Sequence, residues 1–119
     1  MKKIIHVDNS DFFRKHMRTF LQAEGFEVES FDSALDAGLT IGSGSGDMVI
    51  MGLTFTEMEG VDFLRKIVED FSLPIIVVSS SVDKKKAEEL IALGAKAALN
   101  KSGPWKEDIK PHLSALKGT

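Results

Sequence analysis

The chain of 119 residues has no cysteine, no tyrosine, one tryptophan and three prolines. Without cysteine there is no disulfide framework, no thiolate zinc site and no cysteine nucleophile, which fits a reducing compartment. No apolar run approaches the roughly 18 residues that a membrane-spanning helix requires. The opening stretch MKKIIHVDNS breaks at Asp8 before a signal-peptide apolar region develops, so a cytoplasmic location is expected. An excess of positive charge is also lacking. Lys and Arg number 15 against 18 Asp and Glu, a formal net charge of -3, which leaves no electrostatic footprint for nucleic acid. Protein partners are expected instead, with no direct nucleic-acid or membrane contact.

With 43% hydrophobic and 28% charged residues, the chain can bury a core and keep a solvated surface, as one domain over residues 1–119. Short apolar runs alternate with longer amphipathic stretches, the signature of a parallel sheet wrapped by helices. Strands are predicted at Lys3 to Val7, Phe26 to Ser30, Met48 to Met51, Pro74 to Val78 and Ala97 to Asn100. The third and fourth are continuously apolar, as strands covered on both faces should be.

The first helix is predicted from Asp11 to Ala23, with Phe13, Met17, Phe20 and Leu21 on one stripe, Ser10 as N-cap and Gly25 as stop. Others follow at Ser33 to Thr40, at Val61 to Phe71 with Phe63, Leu64, Ile67, Val68 and Phe71 inward, and at Asp83 to Leu93. Pro104 and Trp105 suggest one start for the last helix, yet Pro111 fits only within a first turn or at a kink, which favours a start near Asp108.

Right-handed crossovers turn this order into a doubly wound α/β fold, a five-stranded parallel sheet of strand order 2-1-3-4-5 with five helices. Ligands in such folds sit beyond the carboxyl ends of the strands, where the winding reverses. That edge carries Asp8 and Asn9, Gly52 to Thr56, Ser79 and Ser80, and Lys101.

The segments IIHVDNS, GDMVIMGLTFTEMEG, LPIIVVSSS and LGAKAALNK, in this order and spacing, resemble the CheY-like receiver domains of response regulators over essentially the whole chain. The resemblance implies two-component phosphorelay signalling and a flavodoxin-like fold. In that family an acidic pair follows the first strand, an Asp accepting a phosphoryl group ends the third, a Ser or Thr ends the fourth, and Lys-Pro ends the fifth. Those places are held here by Asp8 and Asn9, Gly52, Ser79, and Lys101 with Ser102. The chemistry requires a carboxylate nucleophile, a magnesium ion on oxygen ligands, and an ammonium and a hydroxyl for the remaining phosphoryl oxygens. Gly52 has no side chain with which to form an acyl phosphate.

Other departures agree. Asn9 leaves Asp8 as the one carboxylate of the metal shell, at most a weak ligand, so no metal site, no cofactor and weak or absent magnesium binding are expected. Ala98 occupies the place of a switching aromatic in a chain without tyrosine. A cis bond before Ser102 costs about 2.5 to 4 kcal/mol, so a trans, shifted last loop is expected. Thr56 replaces a proline, giving FTEMEG where MPxMDG is usual and implying a rerouted loop.

Simpler structural roles compete for several residues. Asp8 reads best as the ion-pair partner of Lys101, and Ser79 as a hydroxyl satisfied by nearby backbone. Asp47 precedes the third strand and so lies at the opposite edge from Gly52. Glu57 and Glu59 read as solvated loop charges, and the run Gly42 to Gly46 as a flexible connector. His6 reads as a packed or hydrogen-bonded residue, and His16 and His112 lack ligand spacing. Trp105 is read evenly as core anchor or exposed contact.

The expectation is therefore a receiver-like, non-enzymatic domain, stand-alone or part of a larger regulator, that is not phosphorylated at the usual position and serves as an interaction or dimerisation module. Its contact face is predicted on the fourth helix, fifth strand and fifth helix, through Lys84, Lys85, Lys86, Ala98 and Trp105. Implied partners are signalling proteins such as a histidine kinase, a fused output domain or a second copy. The alternatives are an unusual phosphoryl acceptor such as Glu57, Glu59 or a loop hydroxyl, and an anion or small-ligand sensor using the space beside Lys101 and Ser79.

Overall fold

The structure, a computed structural model, describes residues 1–119. Its elements run β1 (Lys3–Val7), α1 (Asp11–Ala23), β2 (Glu27–Phe31), α2 (Ala34–Gly42), β3 (Met48–Met51), α3 (Gly60–Asp70), β4 (Ile75–Ser79), α4 (Lys84–Ala92), β5 (Ala97–Asn100) and α5 (Trp105–Lys117). All ladders are parallel and the strand order is β2-β1-β3-β4-β5, the α/β topology that the element order predicts.

The largely apolar character of β1, β3 and β4 follows from double coverage. Successive side chains point to opposite faces, so Ile5, Val49 and Ile75 join one core layer with Phe63 of α3 and Leu90 of α4. Ile4, Met48 and Ile76 join the other with Met17 of α1 and Ile109 of α5. Helix starts are fixed by local chemistry. Ser10, Ser33 and Asp83 each accept from a backbone N–H three residues on, at Phe13, Asp36 and Lys86, satisfying donors that the first turn leaves without partners.

Besides one-residue offsets at β4, which runs Ile75–Ser79 rather than Pro74 to Val78, and at the ends of α3 and α4, four details differ from the sequence reading. β2 starts one residue late because the Phe26 amide closes the end of α1 on Leu21 O at 3.1 Å and its ring enters the core. α2 extends to Gly42, so the glycine-rich connector begins inside a helix. Val68 is partly exposed and Phe71 half-buried, rather than both facing fully inward. The fourth is a correction to α5, which begins at Trp105 and runs through Pro111 rather than starting near Asp108. The Glu107 and Asp108 amides already bond Pro104 O at 3.1 and 3.0 Å. The buried stripe Trp105, Ile109, Leu113 and Leu116 offsets the hydrogen bond that Pro111 cannot donate.

Candidate functional site

β1 ends at Val7, which delivers Asp8 to the carboxyl edge of the sheet, where it is 1% exposed. Its Oδ1 accepts from the Ser10 amide at 2.8 Å and from Lys101 Nζ at 3.2 Å. Its Oδ2 lies 3.0 Å from the same ammonium, without the alignment of a hydrogen bond. The Arg14 guanidinium donates to the Asp8 carbonyl at 2.5 Å and pairs with Asp11, which fixes the turn into α1.

Gly52 follows β3 and donates its amide to Val7 O at 2.9 Å. A Cβ at this position would sit 2.8 Å from Asp8 Oδ2 and 3.3 Å from Asp8 Cγ. The Asp8 carboxylate thus lies against the bare α-carbon of residue 52, an approach that any side chain there would block.

Lys101 follows β5, anchored by its amide to Ser79 O at 3.2 Å. Its ammonium stands between the Asp8 carboxylate and the Phe13 ring, 4.3 Å from the ring centroid, so both faces of the charge are engaged. Ser79 is buried, and its Oγ accepts from the Ser81 amide at 3.2 Å and lies 3.0 Å from Ser81 Oγ. The structure thus brings Asp8, Gly52 and Lys101 together, turns the Ser79 hydroxyl toward its own loop, and leaves Asn9 exposed.

Several participants were missed by sequence reading. Phe13 was read only as core, and Arg14 had no assigned role. Asn100 ties two loops together, donating to Val82 O at 2.7 Å and accepting from the Ser102 amide at 2.7 Å. The peptide before Ser102 is trans, like every other.

Glu57 requires a correction: its carboxylate is not simply solvated but accepts from the Ala34 and Leu35 amides at the start of α2. Hydrogen bonds from its own amide, Ala34, Thr56 and Leu35 hold it below the usual carboxylate range. Asp47 lies at the far edge, accepting from the Lys3 amide at 2.8 Å.

Trp105 also requires a correction as a contact residue. It is 5% exposed and packs edge-on against Phe13 and Phe20, with ring centroids 5.3 and 5.5 Å away. It is a core anchor, whereas Lys84 and Lys85 are exposed, Lys86 lies 3.8 Å from Glu89, and Ala98 is half-buried.

His6, on the α1 and α5 side of β1, is fully buried and neither ring nitrogen has a hydrogen-bond partner. Burial, together with the charges of Lys101, Arg14 and Arg18, pushes its pKa down to about 3.

The residues do not fit a magnesium ion. The single carboxylate at the strand ends is turned onto an ammonium, and no three His, Asp or Glu side chains converge anywhere in the chain.

Residues 4–110 match the response regulator receiver domain. The chain belongs to this family. It is 29% identical over 121 residues to the chemotaxis protein CheY of Treponema pallidum, covering 97% of this chain and 83% of that protein. A protein-glutamate methylesterase/protein-glutamine glutaminase of Rhodospirillum rubrum is 30% identical over 98 residues, or 80% of this chain. The receiver spans only 26% of that enzyme's length. Among solved structures, the Francisella response regulator 1452 receiver domain shares the fold with a TM-score of 0.87 at 14% identity, covering 98% of this chain and 96% of that one. The chemotaxis response regulator CheY4 of Vibrio cholerae does so with a TM-score of 0.82 at 25% identity, covering 98% of each chain. This is a receiver domain of two-component signalling. No helix is long and apolar enough to cross a membrane.

Proposed function

We propose that this receiver is a pseudo-receiver, a non-enzymatic interaction module that works without phosphorylation. The observation that carries the reading is the position of the Asp8 carboxylate. It lies against Gly52 and is paired with Lys101 at 3.0 Å. The cation that would receive a phosphoryl oxygen is already neutralised, and the strand end beneath it offers no nucleophile.

The same geometry weighs against the other readings. An anion sensor would need Lys101 and Ser79 available, yet one is held by Asp8 and Phe13 and the other by Ser81. Glu57, considered as an unusual acceptor, spends its carboxylate on the α2 amides. The α4–β5–α5 face keeps exposed Lys84 and Lys85 as its contact charges.

Trp105 provides the test, because its ring abuts Phe13, over which the Lys101 ammonium sits. Titrating the protein with magnesium and acetyl phosphate is expected to leave Trp105 emission unchanged. A saturable change requiring both reagents would overturn the reading.

A further inference from the structure

Two surface patches outside the pocket carry opposite charge, the second of them reaching the edge of the α4–β5–α5 face through α5. One is the outward side of α2, where Leu35 (63% exposed) and Leu39 (68% exposed) stand one turn apart beside exposed Asp36. Asp32 precedes the helix, residues 31–46 contain no Lys, Arg or His, and Glu57 adds a carboxylate at the helix start.

The other patch lies on the opposite layer, along α1 where it meets α5. Phe12 is 70% exposed, and its ring stacks on His16 with a centroid distance of 6.0 Å and an interplanar angle of 8°. His16 in turn stands edge-on to Trp105 at 5.8 Å, so the exposed ring rests on a pre-ordered aromatic shelf. Lys15, Arg18 and Lys106 are exposed and take part in none of the chain's ion pairs. The nearby carboxylates of Asp11 and Glu107 are occupied by Arg14 and Lys110.

An aliphatic ridge bordered by carboxylates and an aromatic shelf bordered by cations are complementary in charge and in apolar content. We propose that α2 of one copy of this chain docks on the α1–α5 shelf of a second copy. Both halves of the contact are encoded in the same chain and are therefore always present in equal amounts. Because α2 packs on one face of the sheet and α1 and α5 on the other, the contact is head-to-tail and leaves one free ridge and one free shelf on every pair. With few apolar anchors it is a weak contact that salt loosens. The proposal uses no part of the phosphorylation pocket and stands or falls separately from the pseudo-receiver reading.

Sedimentation velocity on the full chain tests it. The parent's weight-average mass is expected to rise with concentration at low salt and to return to the monomer value at high salt. Leu35→Lys with Leu39→Lys removes the ridge and Phe12→Glu removes the shelf, so each variant alone remains monomeric. An equal mixture of the two forms a dimer and nothing larger, because one ridge and one shelf survive between them. Leu39→Ser and Phe12→Ser, milder changes at the same exposed places, weaken association in the same pattern. A parent that stays monomeric at every concentration overturns the proposal and leaves these faces to other proteins. So does either charged variant that associates like the parent, or a mixture that stays monomeric.

Discussion

Replacing Lys101 with methionine is expected to destabilise the protein by about 3 kcal/mol, the low end of the range for breaking a buried ion pair by removing one partner. Asp8 is 1% exposed, and without the ammonium its carboxylate retains only the Ser10 amide as a donor. The lysine side chain itself is 22% exposed, and water reaching that end relieves part of the penalty. The variant also removes the cation over the Phe13 ring. Adding Asp8→Asn to Lys101→Met should recover much of the loss, since no uncompensated charge is then buried. Chemical denaturation of the parent, both single variants and the double variant closes the cycle. A loss under about 1 kcal/mol for Lys101→Met would place the pair with ordinary surface bridges and contradict its role as a closed latch.

The second large effect belongs to His6. Its folded-state pKa, about 3, lies below the ordinary histidine value of 6.5, so the unfolded chain takes up a proton that the folded chain refuses. The associated stability is fully present above pH 6.5 and is lost as the pH falls toward 3, at about 1.4 kcal/mol per pH unit. The cause is first the desolvation of a ring that is fully buried with both nitrogens unpartnered. Repulsion by Lys101, Arg14 and Arg18 adds to it. His6→Leu replaces the ring with an apolar side chain, and the variant should be at least as stable as the parent at pH 7. Between pH 7 and pH 4.5 its margin over the parent should widen by about 2.6 kcal/mol. Carboxylate titration is common to both proteins, so the difference between their pH profiles isolates the histidine. Parallel profiles would show that His6 gains a proton or a partner in the folded state.

The parts of this molecule that were legible in its sequence are those set by periodicity and by chain ends. α1 runs from Asp11 to Ala23 as read, because its apolar stripe, its serine cap and Gly25, which has φ of 94°, all agree. The strand order followed from the alternation of elements. That order puts the ends of β1 and β5 on one edge but three strands apart, so the meeting of Asp8 with Lys101 was legible only through the family resemblance.

What stayed hidden depends on which surfaces meet in three dimensions. Periodicity placed Phe13 in the core but could not show that its ring lies under the ammonium of Lys101. It left Trp105 undecided, because burial there depends on Phe13 and Phe20 arriving from α1. Pro111 misled the start of α5, since a local rule about proline carries no information on how strongly the buried stripe holds the helix. Glu57 looked like a solvated charge because the amides it caps belong to α2, more than 20 residues earlier.

The central claim is that a receiver fold is retained while its pocket is closed by its own aspartate. Intact-mass analysis after incubation with acetyl phosphate and magnesium tests it most directly, with a phosphorylatable receiver in the same reaction as a positive control and Gly52→Asp run in parallel to probe the rest of the pocket. The account predicts that the control gains one phosphoryl group and that this chain retains its unmodified mass. A phosphoryl adduct on the parent chain would contradict it.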